Sequence, residues 1–402
     1  MKEAARNSST RIGLTVLLFV AALLAGCGGG GGGGGASPPP PGTLGVSLTD
    51  DPACGFDAVN VTVTKVRVHQ SGTASDGDGG WSDITLTPPR KINLLDLANG
   101  VLTALGDTAL PAGHYTQLRL VLDANAGPKI ANSVVLTGST AEIAIDTPSG
   151  VQSGIKLINE FDVASGQRTD LVLDFDACMS VVTRGTGAYS LMPVIKVIPT
   201  ALNGINGFLD TSLLASNAKV SAQSSGTVIA STVPNAQTGE FLLARLPPGN
   251  YDAVLTADGR AMAVIAGVPV TASGMVMVSI NAAPIALPAS STRTISGKEL
   301  LNPTSSTVVA YAAAKQTLGT GPKVTVKSQA ADLQTGAYSL SLPVAAPLLG
   351  QYGAGTLPIA FTAQTAAAGK FTVEASASGY TTQSASVDIS AADALRDFTL
   401  VP

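Results

Sequence analysis

The side chains that could do chemistry are few and widely spaced. His69 and His114 are the only imidazoles in 402 residues. Neither lies near a Gly-x-Ser-x-Gly elbow, a His-Glu-x-x-His pair or a cysteine partner, the spacings that activate a nucleophile or hold zinc. The carboxylates Asp50-Asp51 and Asp174-x-Asp176 are paired closely enough for acid/base work or for a hard cation that wants several oxygens. Aspartates at strand ends more often close turns. Ser75-Asp76-Gly77-Asp78-Gly79-Gly80-Trp81-Ser82-Asp83 has the look of part of a calcium loop, but the bidentate glutamate at the twelfth position is missing, and its glycines suit a long mobile hairpin. Gly350-Gln351-Tyr352-Gly353-Ala354-Gly355 lacks the strand-to-helix setting that phosphate binding needs. We therefore expect no catalytic residue, no metal and no cofactor. A glycan site would need exposed aromatics, for which the candidates are Trp81, Tyr251, Tyr352 and Tyr380; for Trp81, the only tryptophan, a core anchor is the competing expectation.

The three cysteines have separate fates. Lys2, Arg6 and Arg11 precede an apolar run from Ile12 to Leu24, which reads as an export leader of residues 1–26, too short to span a bilayer core of roughly 20 residues. Leu24-Ala25-Gly26-Cys27 resembles the lipobox of bacterial lipoprotein precursors, and the alternative is a secreted protein cut nearby. The resemblance implies that Cys27 carries diacylglycerol and palmitate-type acyl chains, and that Gly28, in place of Asp, sends the protein to the outer membrane. Each buried methylene contributes about 0.8 kcal/mol, so two or three chains anchor durably where one does not. Residues 27–42 then read as a tether, eight glycines followed by Pro38 to Pro41 in polyproline II, unless the segment is plain low-complexity sequence. Cys54 and Cys178 remain, and an even pair in an oxidising periplasm is expected to be bonded. That bond would close a loop of roughly 125 residues, for which chain entropy gives about 4–5 kcal/mol.

Composition bounds the rest. Removal of the leader, with three basic side chains and one acidic, takes the formal net charge from −4 to −6, which excludes a nucleic-acid partner. Low charge with 45% hydrophobic and only 4% aromatic residues indicates folded β-structure. The length suits several domains.

The elements that must position these residues are strands. Leu44 to Leu48, Leu118 to Leu122 and Leu171 to Phe175 alternate with period two. In Ala58 to His69 the apolar face runs Val59, Val61, Val63 and then slips to Val66 and Val68, which predicts a β-bulge near Thr64 or Lys65. Leu94, Leu97, Val101 and Leu105 predict one short helix. The ordered segments Leu48-Thr49-Asp50-Asp51-Pro52, Asn93-Leu94-Leu95-Asp96-Leu97, Leu110-Pro111-Ala112-Gly113-His114-Tyr115, Thr147-Pro148-Ser149-Gly150 and Asp174-Phe175-Asp176 resemble the bacterial lipoprotein domain catalogued as domain of unknown function 4382, over residues 43–200.

Further on, a unit repeats. Ile205-Asn206-Gly207 returns as Ile295-Ser296-Gly297, and Gln237-Thr238-Gly239-Glu240-Phe241 as Gln334-Thr335-Gly336-Ala337-Tyr338, a period of about 95 residues. The first copy, residues 203–287, continues through Leu246-Pro247-Pro248-Gly249-Asn250-Tyr251 and is similar to the carboxypeptidase regulatory-like (transthyretin-like) β-sandwich, a carbohydrate-binding-like fold. In it Pro-Pro-Gly sets a tight turn from which Tyr251 folds back on the core. The second copy, residues 292–402, diverges by an insertion at Pro343 to Gly369, expected as a surface loop or extra hairpin.

The expectation is an all-β chain, three β-sandwich domains in series behind a lipidated tether, with a linker at residues 199–204 that leaves the C-terminal copies separable. Three functions compete: a cell-envelope binding or accessory lipoprotein contacting glycan or a protein partner, a structural spacer or assembly component, and, last, a hydrolase.

Overall fold

The computed structural model describes residues 39–402 except 52–54, 158, 186, 199 and 201. The expected leader and Cys27 lie outside the described residues, as does all of the tether before Pro39. The architecture is all-β, with several sheets laid over three apolar cores, and Pro39–Pro402 is one compact unit.

The first core lies between a four-stranded sheet, in the order Ile195–Ile198, Arg168–Asp176, Gly42–Asp51, Thr103–Leu110, and a larger sheet centred on Phe56–His69. Leu44, Val46 and Leu48 alternate into it from one side, and Val59, Val61, Val63, Val66 and Val68 from the other. The slip in that valine series is a bulge: register shifts between Val63 and Lys65 against both neighbouring strands, Ser82–Asn93 and Gln117–Leu122. One extra residue there keeps both halves of the strand facing the core. Gly42 is already part of the first strand, opposite Leu110, so that strand begins on the last residue of the expected tether.

The helix expected from Leu94 to Leu105 does not form. One 3-10 turn, Leu94–Leu97, is capped by the Asn93 side chain, which accepts from Leu95 N at 3.3 Å. Asn99 and Gly100 then take left-handed backbone angles (φ 64° and 76°), and Thr103–Leu110 is a strand. Two successive positive-φ positions cannot continue a right-handed helix.

The second core is enclosed by a three-stranded sheet, Glu240–Ala244, Asn203–Phe208 and Gly274–Met277, and a six-stranded one. The third core has the strand Thr292–Leu301 on one side, and Lys323–Ala330, Ala310–Thr317, Lys370–Ala377 and Gln383–Asp388 on the other. The repeat is reproduced bond for bond at its turn. Asn235 Oδ1 accepts from Gln237 N and Thr238 N, and Asp332 Oδ1 from Gln334 N and Thr335 N. Gly239 N donates to Asn235 O at 2.8 Å and Gly336 N to Asp332 O at 2.7 Å. Gly239 (φ 71°) and Gly336 (φ 68°) hold the left-handed position, and a Cβ on either would collide with the carbonyl oxygen of Leu209 or Glu299. Those two residues occupy equivalent places, since Leu209 N bonds Gly239 O and Glu299 N bonds Gly336 O, each at 2.8 Å. One copy thus buries a leucine where the other buries a carboxyl.

The insertion of the second copy is spent on the first. Leu348–Gln351 pairs in parallel with Ala263–Val270, and Phe361–Ala363 pairs with Leu348–Gln351, so the six-stranded sheet runs Thr227–Thr232, Lys219–Ser224, Gly249–Thr256, Ala263–Val270, Leu348–Gln351, Phe361–Ala363. The expected surface loop is in this part a pair of sheet strands. Val254, Met262 and Val264 from one copy pack with Leu318, Val324 and Ala367 from the other. Gln223, fully buried, clips the seam: its Nε2 donates to Thr325 O and its Oε1 accepts from Thr325 N, both at 2.7 Å.

The span 199–204 is likewise bridged by other contacts. Asn99 Oδ1 accepts from Leu242 N (2.7 Å) and Thr232 Oγ1 (3.2 Å), and Arg245 Nη1 donates to Gly100 O (3.1 Å). Asp332 Oδ2 accepts from Gly185 N (2.9 Å), and Leu333 N donates to Thr183 O (3.1 Å). The left-handed pair that stops the helix is therefore a docking element for the second core.

Candidate functional site

The residues singled out for chemistry are each occupied by structure. His69 ends its strand, with Nε2 2.9 Å from Gly79 O and Nδ1 accepting from Ser71 N at 2.8 Å. His114 lies in the short strand Gly113–Tyr115, with Nδ1 2.8 Å from Asp162 and Nε2 3.5 Å from Glu160. The hydrogen bond that its imidazole donates to the Asp162 carboxylate chiefly raises its pKa. All three side chains are exposed, and none touches a nucleophile.

The two carboxylate pairs meet, because Gly42–Asp51 runs parallel to Arg168–Asp176 with Thr49 opposite Asp174 and Asp51 opposite Asp176. Two of these carboxylates close turns: Asp50 Oδ1 accepts from Ala177 N (3.0 Å), and Asp176 Oδ1 caps the helical turn Ala177–Ser180 by accepting from Met179 N (2.9 Å). Burial pushes the Asp174 carboxyl up to about 6, against the pull of Lys196, with the Asp176 charge adding to the rise. Asp174 faces a cavity of about 30 Å³ shared with Asp50, Asn99 and Arg245, which is room for one water and no substrate. Among the described residues no three His, Cys, Asp or Glu side chains are grouped to hold a metal.

The calcium-like loop is closed on itself. Asp78 Oδ2 accepts from Ser75 N at 2.8 Å, Asp76 pairs with Arg119, and Trp81 Nε1 donates to Ser75 O at 2.9 Å. Trp81 is not a core anchor. It sits half-buried outside the first core, with the Arg67 and Arg119 guanidiniums each 4.7 Å from its ring centre and the His69 ring at 5.1 Å. Such cation–π packing takes the ring surface that a sugar would stack on.

Tyr251 folds back as its turn predicts: it is buried in the second core with its hydroxyl donated to Pro247 O at 2.6 Å, so it presents no ring to a ligand. Tyr115, in the matching Leu-Pro-x-Gly-x-Tyr segment of the first core, donates to Pro111 O at 3.0 Å, and this recurrence was readable in the sequence. Tyr352 packs against the second core, and Tyr380 against the third with its hydroxyl donated to Pro303 O at 2.5 Å. The four candidate aromatics do not assemble into one platform. Cys178 lies in the capped turn after Asp176, whereas Cys54 lies outside the described residues.

A site that residue types did not signal opens on the outer face of the third core's sheet. A groove of about 400 Å³ is lined by Lys315, Thr317, Lys370, Thr372, Ser386 and Asp388 and walled by Ala366 and Ala367. Strand register places Lys315 beside Thr372, Thr372 beside Ser386 and Lys370 beside Asp388. The wall is the 3-10 turn Thr365–Ala367 at the end of the insertion, held by Gln316 Nε2, which donates to Ala367 O (2.6 Å) and Lys370 O (3.2 Å). Lys315 is bound to Glu374 at 2.6 Å, and Ser390 holds the Asp388 carboxylate below its usual range through hydrogen bonds from its side chain and backbone. The hydroxyls of Thr317, Thr372 and Ser386 and the Lys370 ammonium make no hydrogen bond to any described residue.

Residues 41–193 match the family model described as Domain of unknown function (DUF4382). No curated protein matches the sequence. Among solved structures the chain is similar to "The Bacillus anthracis TIE protein" (11% identity, TM-score 0.17), covering 90% of this chain and half of that protein's length. It is also similar to a Streptococcal ancillary pilin (9%, TM-score 0.16, covering 90% of this chain and 99% of that one) and to the Corynebacterium diphtheriae major pilin SpaA (12%, TM-score 0.19, 90% and 99%). At such scores the chain paths do not superpose as wholes, and nothing about role passes from those proteins to this one.

Proposed function

We propose that this chain is a lipid-anchored cell-envelope protein with a non-catalytic binding or accessory role, held at the membrane, most simply the outer membrane, by acyl chains on Cys27. The leader and the Leu24-Ala25-Gly26-Cys27 segment support the anchor. The binding role rests on one observation, the open groove on the third core, where hydrogen-bonding groups stand unspent while the histidines and the central carboxylates are tied into the fold. A second reading, a rigid envelope spacer, is favoured by the seams that join the three cores. Under either reading Cys54 and Cys178 form a disulfide, which the parallel register supports: the strands preceding the two cysteines run side by side to Asp51 and Asp176.

Fractionation of producing cells tests the anchor. Cys27→Ala should move the protein from the membrane to the soluble fraction and abolish its labelling by radioactive palmitate. A variant that still carries label refutes the assignment.

A further inference from the structure

The groove on the third core differs from an aromatic sugar platform and from a charged anion site. Its floor is the polar face of three adjacent strands, and hydroxyls of Thr317, Thr372 and Ser386 point the same way as Lys315 and Lys370. Its charges cancel locally: Lys315 is neutralised by Glu374, and Lys370 stands in register with Asp388. No aromatic ring is offered face-on, since Phe371, though at the rim, is itself buried in the third core. A volume of about 400 Å³ lies in the range of small-ligand sites. The wall exists because of the insertion, the feature by which this copy departs from the other, and the buried Gln316 ties it to the floor, donating to Ala367 O in the turn and to Lys370 O in the strand that follows.

A ligand that suits this lining must be rich in both donors and acceptors, carry no net charge, and need no stacking surface. Hydroxyls that can donate and accept, an ammonium that donates and a carboxylate that accepts complement such a surface group by group. A peptide presents alternating donors and acceptors along one edge, with side chains between, and so makes less use of a broad polar floor. We propose that the groove bounded by Thr317, Lys370, Thr372, Ser386 and the Thr365–Ala367 turn binds a neutral oligosaccharide of two to four residues through hydrogen bonds.

This rests on the binding role proposed above and names its ligand class. The test is isothermal titration calorimetry of the full chain in detergent with cellotetraose, maltotetraose, laminaritetraose and chitotetraose, and with tetra-alanine as the peptide probe. At least one tetrasaccharide should give a saturable heat, weakened about tenfold in the double variant Thr372→Ala, Ser386→Ala, as loss of two hydrogen bonds predicts. Scanning calorimetry should show the variant unfolding with the wild type. If the variant misfolds, Lys370→Met, a change at an exposed side chain, replaces it. Saturable binding of tetra-alanine alone overturns the ligand class. Sugar binding that survives both variants overturns the site and leaves a binding role standing elsewhere on the molecule. No saturable heat from any probe overturns the proposal, while the anchor is decided separately by fractionation.

Discussion

Glu299 offers a quantitative test of how the repeat was built. It is 2% exposed, both carboxyl oxygens lack a hydrogen-bond partner, and it occupies the place filled in the other copy by Leu209, 1% exposed. The titratable group that senses it is Tyr338, whose phenol is itself pushed up to about 12, chiefly by burial and then by the charges of Glu299 and Asp397. Burial pushes the Glu299 carboxyl up from 4.5 to about 8. A raised acid pKa means that the folded state holds a proton that the unfolded state releases. Its contribution is therefore fully present below about pH 4.5, falls as pH rises, and is lost once pH passes about 8. At 1.36 kcal/mol per pH unit the gap amounts to about 4–5 kcal/mol, an upper bound, because water can relax into the site on ionisation. Glu299→Leu should thus stabilise the protein by about 1–2 kcal/mol at pH 5, where little more than an unsatisfied neutral carboxyl is removed, and by up to about 3–4 kcal/mol more at pH 8. Glu299→Gln should abolish the pH dependence without the second gain. Scanning calorimetry of the three proteins from pH 5 to pH 9 reads both effects. A difference between wild type and the leucine variant that stays flat across this range, or a leucine variant less stable at pH 8, refutes the buried-acid argument.

Two further outcomes follow from the seams and the cysteines. Gln223→Leu leaves the N–H and carbonyl of Thr325 without their buried partner and should cost about 2–5 kcal/mol in urea unfolding, and a loss below about 0.5 kcal/mol would mean that the clip is idle. Cys178→Ala should cost about 2–5 kcal/mol if the bond to Cys54 forms, and non-reduced peptide mass spectra of exported protein should contain that crosslink; two free thiols there would exclude it.

Much of this fold is written locally, and what is local was legible. The valine series from Val59 to Val68 displays its bulge because a period of two cannot change phase without an extra residue. The turns at Gly239 and Gly336 were legible as a pair, since an Asx side chain, a threonine and a positive-φ glycine make the same bonds wherever they recur. The helix expected at Leu94 to Leu105 fails at Asn99-Gly100, whose left-handed backbone breaks the leucine spacing and whose side chain and carbonyl bond to another core. The fate of the insertion was illegible for a related reason: nothing in Leu348–Gln351 names the strand 80 or so residues earlier with which it pairs. Of the candidate site, single residue types pointed to aromatics that the packing consumes, such as Trp81 between two arginines. The groove arises from register across three strands, which no short segment contains.

The position of the first strand has a mechanical consequence. Gly42–Asp51 is an interior strand, hydrogen-bonded on one flank to Arg168–Asp176 and on the other to Thr103–Leu110. In a protein anchored at Cys27, any pull on the body enters at Gly42 and acts along this strand. Ladder bonds run across the strands, so such a load shears both rows together instead of opening them one at a time. Rupture under tension is governed by the unfolding rate. The proposed anchor would thereby load the sheet where it resists withdrawal of its own first strand, and a body hung from an edge strand by its end would peel at far lower force.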